Sequence, residues 1–145
     1  MLFLKMKFKS LNNKEVRLEI VPAHYPVRTR AQCKSAGQYN LGRQIQNTYG
    51  ISALLLEEFS IPDERLFLDF FMPHHGLAFE FHGTQHDGFH KFFHTDKQGF
   101  NKSVARDERK REWCKLNNIR LIEVRDENVS AADLQKLIQE AHENE

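Results

Sequence analysis

Two short apolar runs, Leu66–Met72 (LFLDFFM) and Leu77–Phe81 (LAFEF), lie either side of Pro73-His74-His75-Gly76. Runs of this length bounded by Pro and Gly read as buried strands joined by a tight turn. Each run carries one carboxylate, Asp69 in the first and Glu80 in the second. An ionised carboxylate on a buried strand costs several kcal/mol unless something compensates it. Neither run contains Lys or Arg, so compensation must come from elsewhere in the fold or from a metal ion. A hard divalent cation such as Mg²⁺ takes oxygen ligands and suits such a pair. His82 and His86 follow at once, and imidazoles move protons near neutral pH. Carboxylates that hold a metal, followed by proton carriers, suggest metal-assisted hydrolysis. A single strand acid is more often an outward-facing residue, and a single His more often structural. Two acids, two histidines and Gly83 within one hairpin form a stronger signal than any of them alone.

The chain of 145 residues is long enough for one domain with a real core, and its 40% hydrophobic and 28% charged content is ordinary for a globular protein. No apolar run approaches the roughly 20 residues of a membrane span. The N-terminus, MLFLKMKFKS, lacks the long apolar core and small-residue cleavage site of a secretory signal. Cys33 and Cys114 stand far apart and form no CxxC pair. That spacing points to a reduced, cytoplasmic setting and away from a cysteine-based zinc site.

A net charge of +1 hides an asymmetry. Up to Lys34, the basic residues Lys5, Lys7, Lys9, Lys14, Arg17, Arg28, Arg30 and Lys34 face only Glu15 and Glu19. A second basic cluster follows the central hairpin: Lys102, Arg106, Arg109, Lys110, Arg111 and Lys115. From Asp126 onward the chain holds six acids and one lysine. Two basic segments flanking a metal site suit a polyanion better than a small neutral substrate, although charge runs are more often solvated faces.

Residues 3–20 alternate apolar with charged positions, and Leu11-Asn12-Asn13-Lys14 supplies a turn, which predicts a β-hairpin with one wet, mostly basic face. Pro22 and Pro26 make the next stretch extended or irregular. Helix signals begin near Ser35, with Leu41, Ile45 and Tyr49 on one face and Gly50 at the stop. Residues 51–61 (ISALLLEEFSI) read as a strand. Residues 86–100, rich in Phe and His and broken by Gly88 and Gly99, read as a long loop whose aromatics pack it down or stack on bases. Ser103 can cap a helix through about Leu116, placing Phe100, Val104, Asp107, Arg111 and Cys114 on an inward face. There Asp107 either pairs with Arg111 or points at the site. Residues 119–124 (IRLIEV) form a last strand. Ser130-Ala131-Ala132-Asp133 caps a final helix with Leu134, Leu137, Ile138 and Ala141 on one side.

Helix, three strands, helix, strand, with an acid on each of the second and third strands, resembles the PD-(D/E)XK nuclease superfamily. The matching residues are Asp69 and Glu80-Phe81-His82, with His where Lys is usual. Asp69, His82-Gly83, His86 and a helix bearing Asp107 are similar to the very short patch repair endonuclease branch, which includes phage-encoded nicking and homing-type enzymes with an E-D-x-H-D motif. The similarity covers about residues 35–125, and EFHGTQH is its most specific phrase. The resemblance implies an α/β (α+β) fold with a restriction-endonuclease-like αβββαβ core, here residues 35–125. Residues 1–34 would add a basic hairpin and arm, and residues 126–145 an acidic C-terminal helix.

It also implies a Mg²⁺-dependent DNA endonuclease, Mn²⁺ being able to substitute. In that scheme Asp69 and the main-chain carbonyl of Phe81 bind the metal, and Glu80 is a second ligand or a structural acid. His82 activates water, His86 assists the leaving oxygen and Asp107 orients a histidine. The motif's leading Glu falls to Gln38, Glu57 or Glu58. DNA contacts fall to Lys5, Lys7, Lys9, Arg28, Arg30, Lys34, Lys102, Arg106, Arg109 and Lys110. Monomer and homodimer both remain open.

Two other readings compete. One is a catalytically silent DNA-binding protein on the same fold. The other is a transition-metal site built from His82, His86, His90 and His94, whose four-residue spacing needs a helix that Gly83 and Gly88 disfavour.

Overall fold

In a computed structural model of the chain, residues 2–83 and 97–144 are described, Lys97, Gln98 and Phe100 by their backbone alone. Strands β1 (Leu4–Lys9) and β2 (Glu15–Ile20) form an antiparallel hairpin. A 3-10 turn (Pro22–His24) and an irregular arm lead to helix α1 (Ala36–Tyr49). Strands β3 (Leu56–Ile61), β4 (Leu66–Met72) and β5 (Leu77–Phe81) follow, then helix α2 (Lys97–Leu116), strand β6 (Arg120–Val124) and helix α3 (Ala131–Glu143). The described residues thus form a mixed α+β fold with six strands in two sheets and three α-helices. The larger sheet has the order β3-β4-β5-β6, antiparallel until β6 joins β5 in parallel. No described helix is long and apolar enough to cross a membrane.

The β4–β5 turn falls where the Pro-to-Gly interruption predicts it. Gly76 takes the left-handed conformation (φ 63°) that glycine tolerates, and its carbonyl accepts the Arg120 N–H at 2.9 Å. That bond aligns the start of β6 with β5. Ser35 caps α1 by accepting the Gln38 N–H at 3.1 Å, and Ser130 caps α3 by accepting from Asp133 at 3.1 Å. The apolar stripes of these two helices, Leu41, Ile45, Leu134 and Ile138, pack with Phe70, Phe79, Ile122 and Val124. Phe8 and Ile20 of the hairpin share a second cluster with Phe59, Phe71, Trp113 and Cys114, the Phe8 and Trp113 rings lying 5.2 Å apart.

Polar contacts fix the hairpin's position. Asn117 acts like an extra strand residue, its side chain accepting the Lys9 N–H at 2.7 Å and donating to the Lys9 carbonyl at 3.0 Å. The buried Glu64 carboxylate accepts the Leu11 N–H at 2.6 Å, while Arg109 donates to the Glu64 carbonyl at 3.1 Å.

The structure departs from the sequence expectations in four places. β3 begins at Leu56 rather than at residue 51, because residues 50–55 turn the chain out of α1 and leave Ile51 84% exposed. α2 begins at Lys97, six residues before Ser103, so Gly99 lies inside the helix despite its unfavourable propensity. The expected loop over residues 86–100 lies outside the described residues up to 96, and its last four residues are helical. The inward face of α2 keeps the expected Cys114, Asp107 and Arg111 but not Val104, which is 45% exposed, and it adds the buried Trp113 and the inward-tucked Lys110.

Gly37 of α1 lies against the Phe81 ring, which an added Cβ would overlap. Gly37→Ala is expected to lose about 1–3 kcal/mol in urea unfolding by overpacking this contact. Gly50→Ala meets no neighbouring atoms but is strained at φ 94°, so it serves as a backbone-only control.

Candidate active site

Asp69 and Glu80 sit where β4 and β5 separate. The main-chain ladder between these strands runs from Met72↔Leu77 to Phe70↔Phe79. Beyond it, carboxylates take over the pairing of backbone donors, as buried N–H groups require. The Asp69 N–H donates to Glu80 Oε2 at 2.6 Å, and the Phe81 N–H donates to Asp69 Oδ2 at 2.8 Å. Each acid therefore caps the opposite strand, and both are buried at 3% exposure.

Register extends this pair into a row. Glu57↔Phe70 and Phe59↔Leu68 bracket Glu58 opposite Asp69, while Glu80 pairs with Glu123. Glu58, Asp69, Glu80 and Glu123 thus place one acid at the same level on each of β3, β4, β5 and β6. Neighbouring strands lie about 4.8 Å apart, so like charges in this row repel. Glu58 is also held in the left-handed region at φ 53°, a conformation that disfavours non-glycine residues.

Cations from two other segments meet the row. Lys34, just before α1, places its Nζ 2.9 Å from Asp69 Oδ1 and 3.4 Å from Glu58 Oε2. Lys110 of α2 donates to Glu80 Oε1 at 2.7 Å. Arg111 of α2 forks onto Glu123, its Nη2 2.7 Å from Oε1 and its Nε 3.0 Å from Oε2. His82 Nε2 lies 2.8 Å from the same Oε1. Gln38 Nε2 donates to Glu57 at 2.8 Å and to Glu58 at 3.0 Å, so all three candidates for a leading acid position meet at one side chain. Glu57 is buried and accepts the Arg28 N–H at 2.7 Å, which ties the arm to β3 rather than to the cleft.

Lys34, Asp69, Glu80, His82 and Lys110 line a cleft of about 370 Å³, with Ser35, Phe81, Gly83, Ser103, Arg106 and Asp107 completing its walls. Asp107 Oδ2 stands 3.9 Å from His82 Nδ1, beyond hydrogen-bond range but close enough to act through its charge. Of the two expectations for Asp107, it faces the site, and Arg111 pairs instead with Glu123 and with Glu108 at 3.3 Å. His86, His90 and His94 lie outside the described residues. Lys34, Lys110 and Arg106 line the cleft itself. Lys5, Lys7, Lys9, Arg30 and Lys102 are exposed elsewhere, and Arg109 is held at Glu64. Glu123 was not singled out in the sequence.

Burial pushes the Glu80 carboxyl up to about 7, with the Asp69 charge adding to it and Lys110 opposing. The Glu123 hydrogen bond raises His82 above the ordinary histidine value against the opposing effect of burial, and Asp107 adds to the rise. The partner effect lowers Glu123 to about 2, through His82 first and then Arg111, although burial opposes it. Burial would pull Lys34 down, but the charge and hydrogen bond of Asp69 lift it above the usual range. Burial raises the Cys33 and Cys114 thiols to about 11 and about 12, so neither offers a thiolate near neutral pH.

Among the described residues, no group of three or more His, Cys, Asp or Glu side chains is placed to enclose a metal. Asp69 and Glu80 are the carboxylates that line the cleft, and Mg²⁺ is a cation that binds through one or two carboxylates with water or phosphate in its other positions. Comparison of the chain with protein-family models, with curated proteins and with solved structures finds no match.

Lys110→Met removes the only hydrogen bond from a side-chain cation to Glu80 among the described residues. Glu80's folded value of about 7 exceeds its unfolded value, so its ionisation costs nothing below about pH 4.5 and destabilises the fold as pH rises through 7. Loss of Lys110 is expected to cost about 3 kcal/mol at pH 8 and clearly less at pH 5, read from urea midpoints at the two pH values.

Proposed function

We propose that this cleft is the active site of a Mg²⁺-dependent DNA endonuclease on a restriction-endonuclease-like core, making nicks or structure- or site-specific cuts. The observation that carries the reading is the opposed pair Asp69 and Glu80 at the open end of β4 and β5, with His82 beside it. The element order α1-β3-β4-β5-α2-β6 is the αβββαβ order that the resemblance to the very short patch repair branch implies. Asp69, Glu80 and the main-chain carbonyl of Phe81 would hold the metal. Bound Mg²⁺ supplies a Lewis acid that neutralises charge on the scissile phosphate and acidifies water.

The chain's own residues account for the rest. Lys34, Lys110 and Arg106 place positive charge around the cleft, suited to holding a phosphodiester backbone. The exposed Lys5, Lys7 and Lys9 and the arm residues Arg28 and Arg30 extend the basic surface available to a long polyanion. His82 moves a proton at the reacting phosphate. The Glu123 hydrogen bond, with the Asp107 charge added to it, favours the imidazolium, and base action grows as pH rises.

A catalytically silent DNA-binding protein is the second reading, and one observation favours it. Lys34 and Lys110 already compensate Asp69 and Glu80 without any metal. Supercoiled plasmid separates the two. Open circles are expected with Mg²⁺ and none with EDTA, Asp69→Ala is expected to abolish cleavage, and His82→Ala to slow it about 10²–10⁴-fold. Salt-sensitive binding with no cleavage of plasmid, branched or mismatched DNA would favour the silent protein.

A further inference from the structure

Both the backbone and the ring of His82 are tied to consecutive residues of β6. Its N–H donates to the Val124 carbonyl at 2.8 Å, and its Nε2 lies 2.8 Å from Glu123 Oε1. An ionised carboxylate only accepts, so the ring nitrogen facing it carries the proton. Glu123 is itself anchored, since Arg111 contacts both of its oxygens. The other ring nitrogen, Nδ1, is on the side of Asp107, a residue of the cleft wall.

We infer that Glu123 is the positioning residue for His82, holding the ring in its Nε2–H tautomer and fixing its orientation at the cleft. The assignment rests on the endonuclease reading for the reaction but not for the dyad. It moves the orienting role from Asp107, which stands 3.9 Å from His82, to a residue on the neighbouring parallel strand. Arg111 becomes the support of that residue, one step further from the chemistry. The arrangement follows the logic of a carboxylate that fixes a histidine's tautomer, where a wrong tautomer leaves the geometry intact and removes the activity.

The test uses the full chain with ¹⁵N-labelled histidine at about pH 9, without metal, so that His82 is read as a neutral ring. His82→Gln identifies its signals. The wild type is expected to show His82 as the Nε2–H tautomer, and Glu123→Ala to show a mixture. Glu123→Asp is expected to restore the preference in part, and circular dichroism of each variant checks folding. If Glu123→Ala does not fold, Glu123→Gln replaces it, and cleavage reads the loss of the carboxylate.

In plasmid cleavage with Mg²⁺, Glu123→Ala or Glu123→Gln is expected to lower kcat about 10- to 100-fold with KM little changed. Glu123→Asp is expected to recover part of that loss. An Nδ1–H tautomer in the wild type, or a tautomer unchanged in a folded Glu123→Ala, would overturn the assignment. So would full kcat in a Glu123 variant while His82→Ala is slow. A wild type that shows the Nε2–H tautomer yet cleaves nothing overturns the endonuclease reading and leaves the dyad standing.

Discussion

A sheet that carries an acid at the same level on each of four strands cannot close without cations, and most of this molecule's arrangement answers that constraint. Glu58, Asp69, Glu80 and Glu123 would repel one another, and Asp69 and Glu80 are too deeply buried for water to screen them. Lys34 brings the arm before α1 onto the row, and Lys110 and Arg111 bring α2 onto it. Electrostatic compensation and tertiary docking are therefore the same contacts. The hairpin stands outside this system, held by apolar packing of Phe8 and Ile20 and by Asn117 and Glu64.

The way the strands part gives the site its chemistry. Past Phe70↔Phe79, the N–H groups of Asp69 and Phe81 have no partner in the β4–β5 ladder. Instead the two carboxylates take them, and the sheet opens into a cleft. On β3, where the backbone at Glu58 is left-handed, two consecutive acids share Gln38 and each takes a further partner. Glu57 holds the arm through Arg28, and Glu58 shares Lys34 with Asp69. Left-handed backbone at such a residue costs on the order of 1 kcal/mol and persists because its surroundings hold it.

Much of the fold was legible because local rules and burial agree. Apolar runs bounded by Pro and Gly locate β4 and β5 to the residue, helix signals near Ser35 locate the start of α1, and the Ser130 cap locates that of α3. The rules failed where tertiary packing overrode them. Ile51 and Ala53 looked like strand residues, but the chain spends them on the turn out of α1. Gly99 looked like a helix breaker, yet α2 runs through it. The 100° periodicity of α2 places Val104 inward, where the structure exposes it, and gives no sign of Lys110 as an inward residue, because a lysine looks like a surface one.

The candidate site divides the same way. Asp69, Glu80 and His82 stand out in the chain because charge and imidazole in or beside short apolar runs are conspicuous, whatever their partners. The sequence by itself determined that those carboxylates would be buried, that compensation had to come from outside their strands, and that basic segments were available to supply it. It could not say which cation meets which acid. Glu123 in IRLIEV looks like an ordinary alternating polar residue, and only parallel pairing of β6 with β5 sets it opposite Glu80 and within reach of His82. Lys34 and Lys110 read as members of charge runs, and only the docking of two helices brings them, 76 positions apart in the sequence, to the same pair of carboxylates. Hydrophobic patterning is written locally because burial is a property of one residue and its neighbours in the chain. Charge pairing across a sheet is a property of register and crossover, and those exist only once the chain has closed on itself.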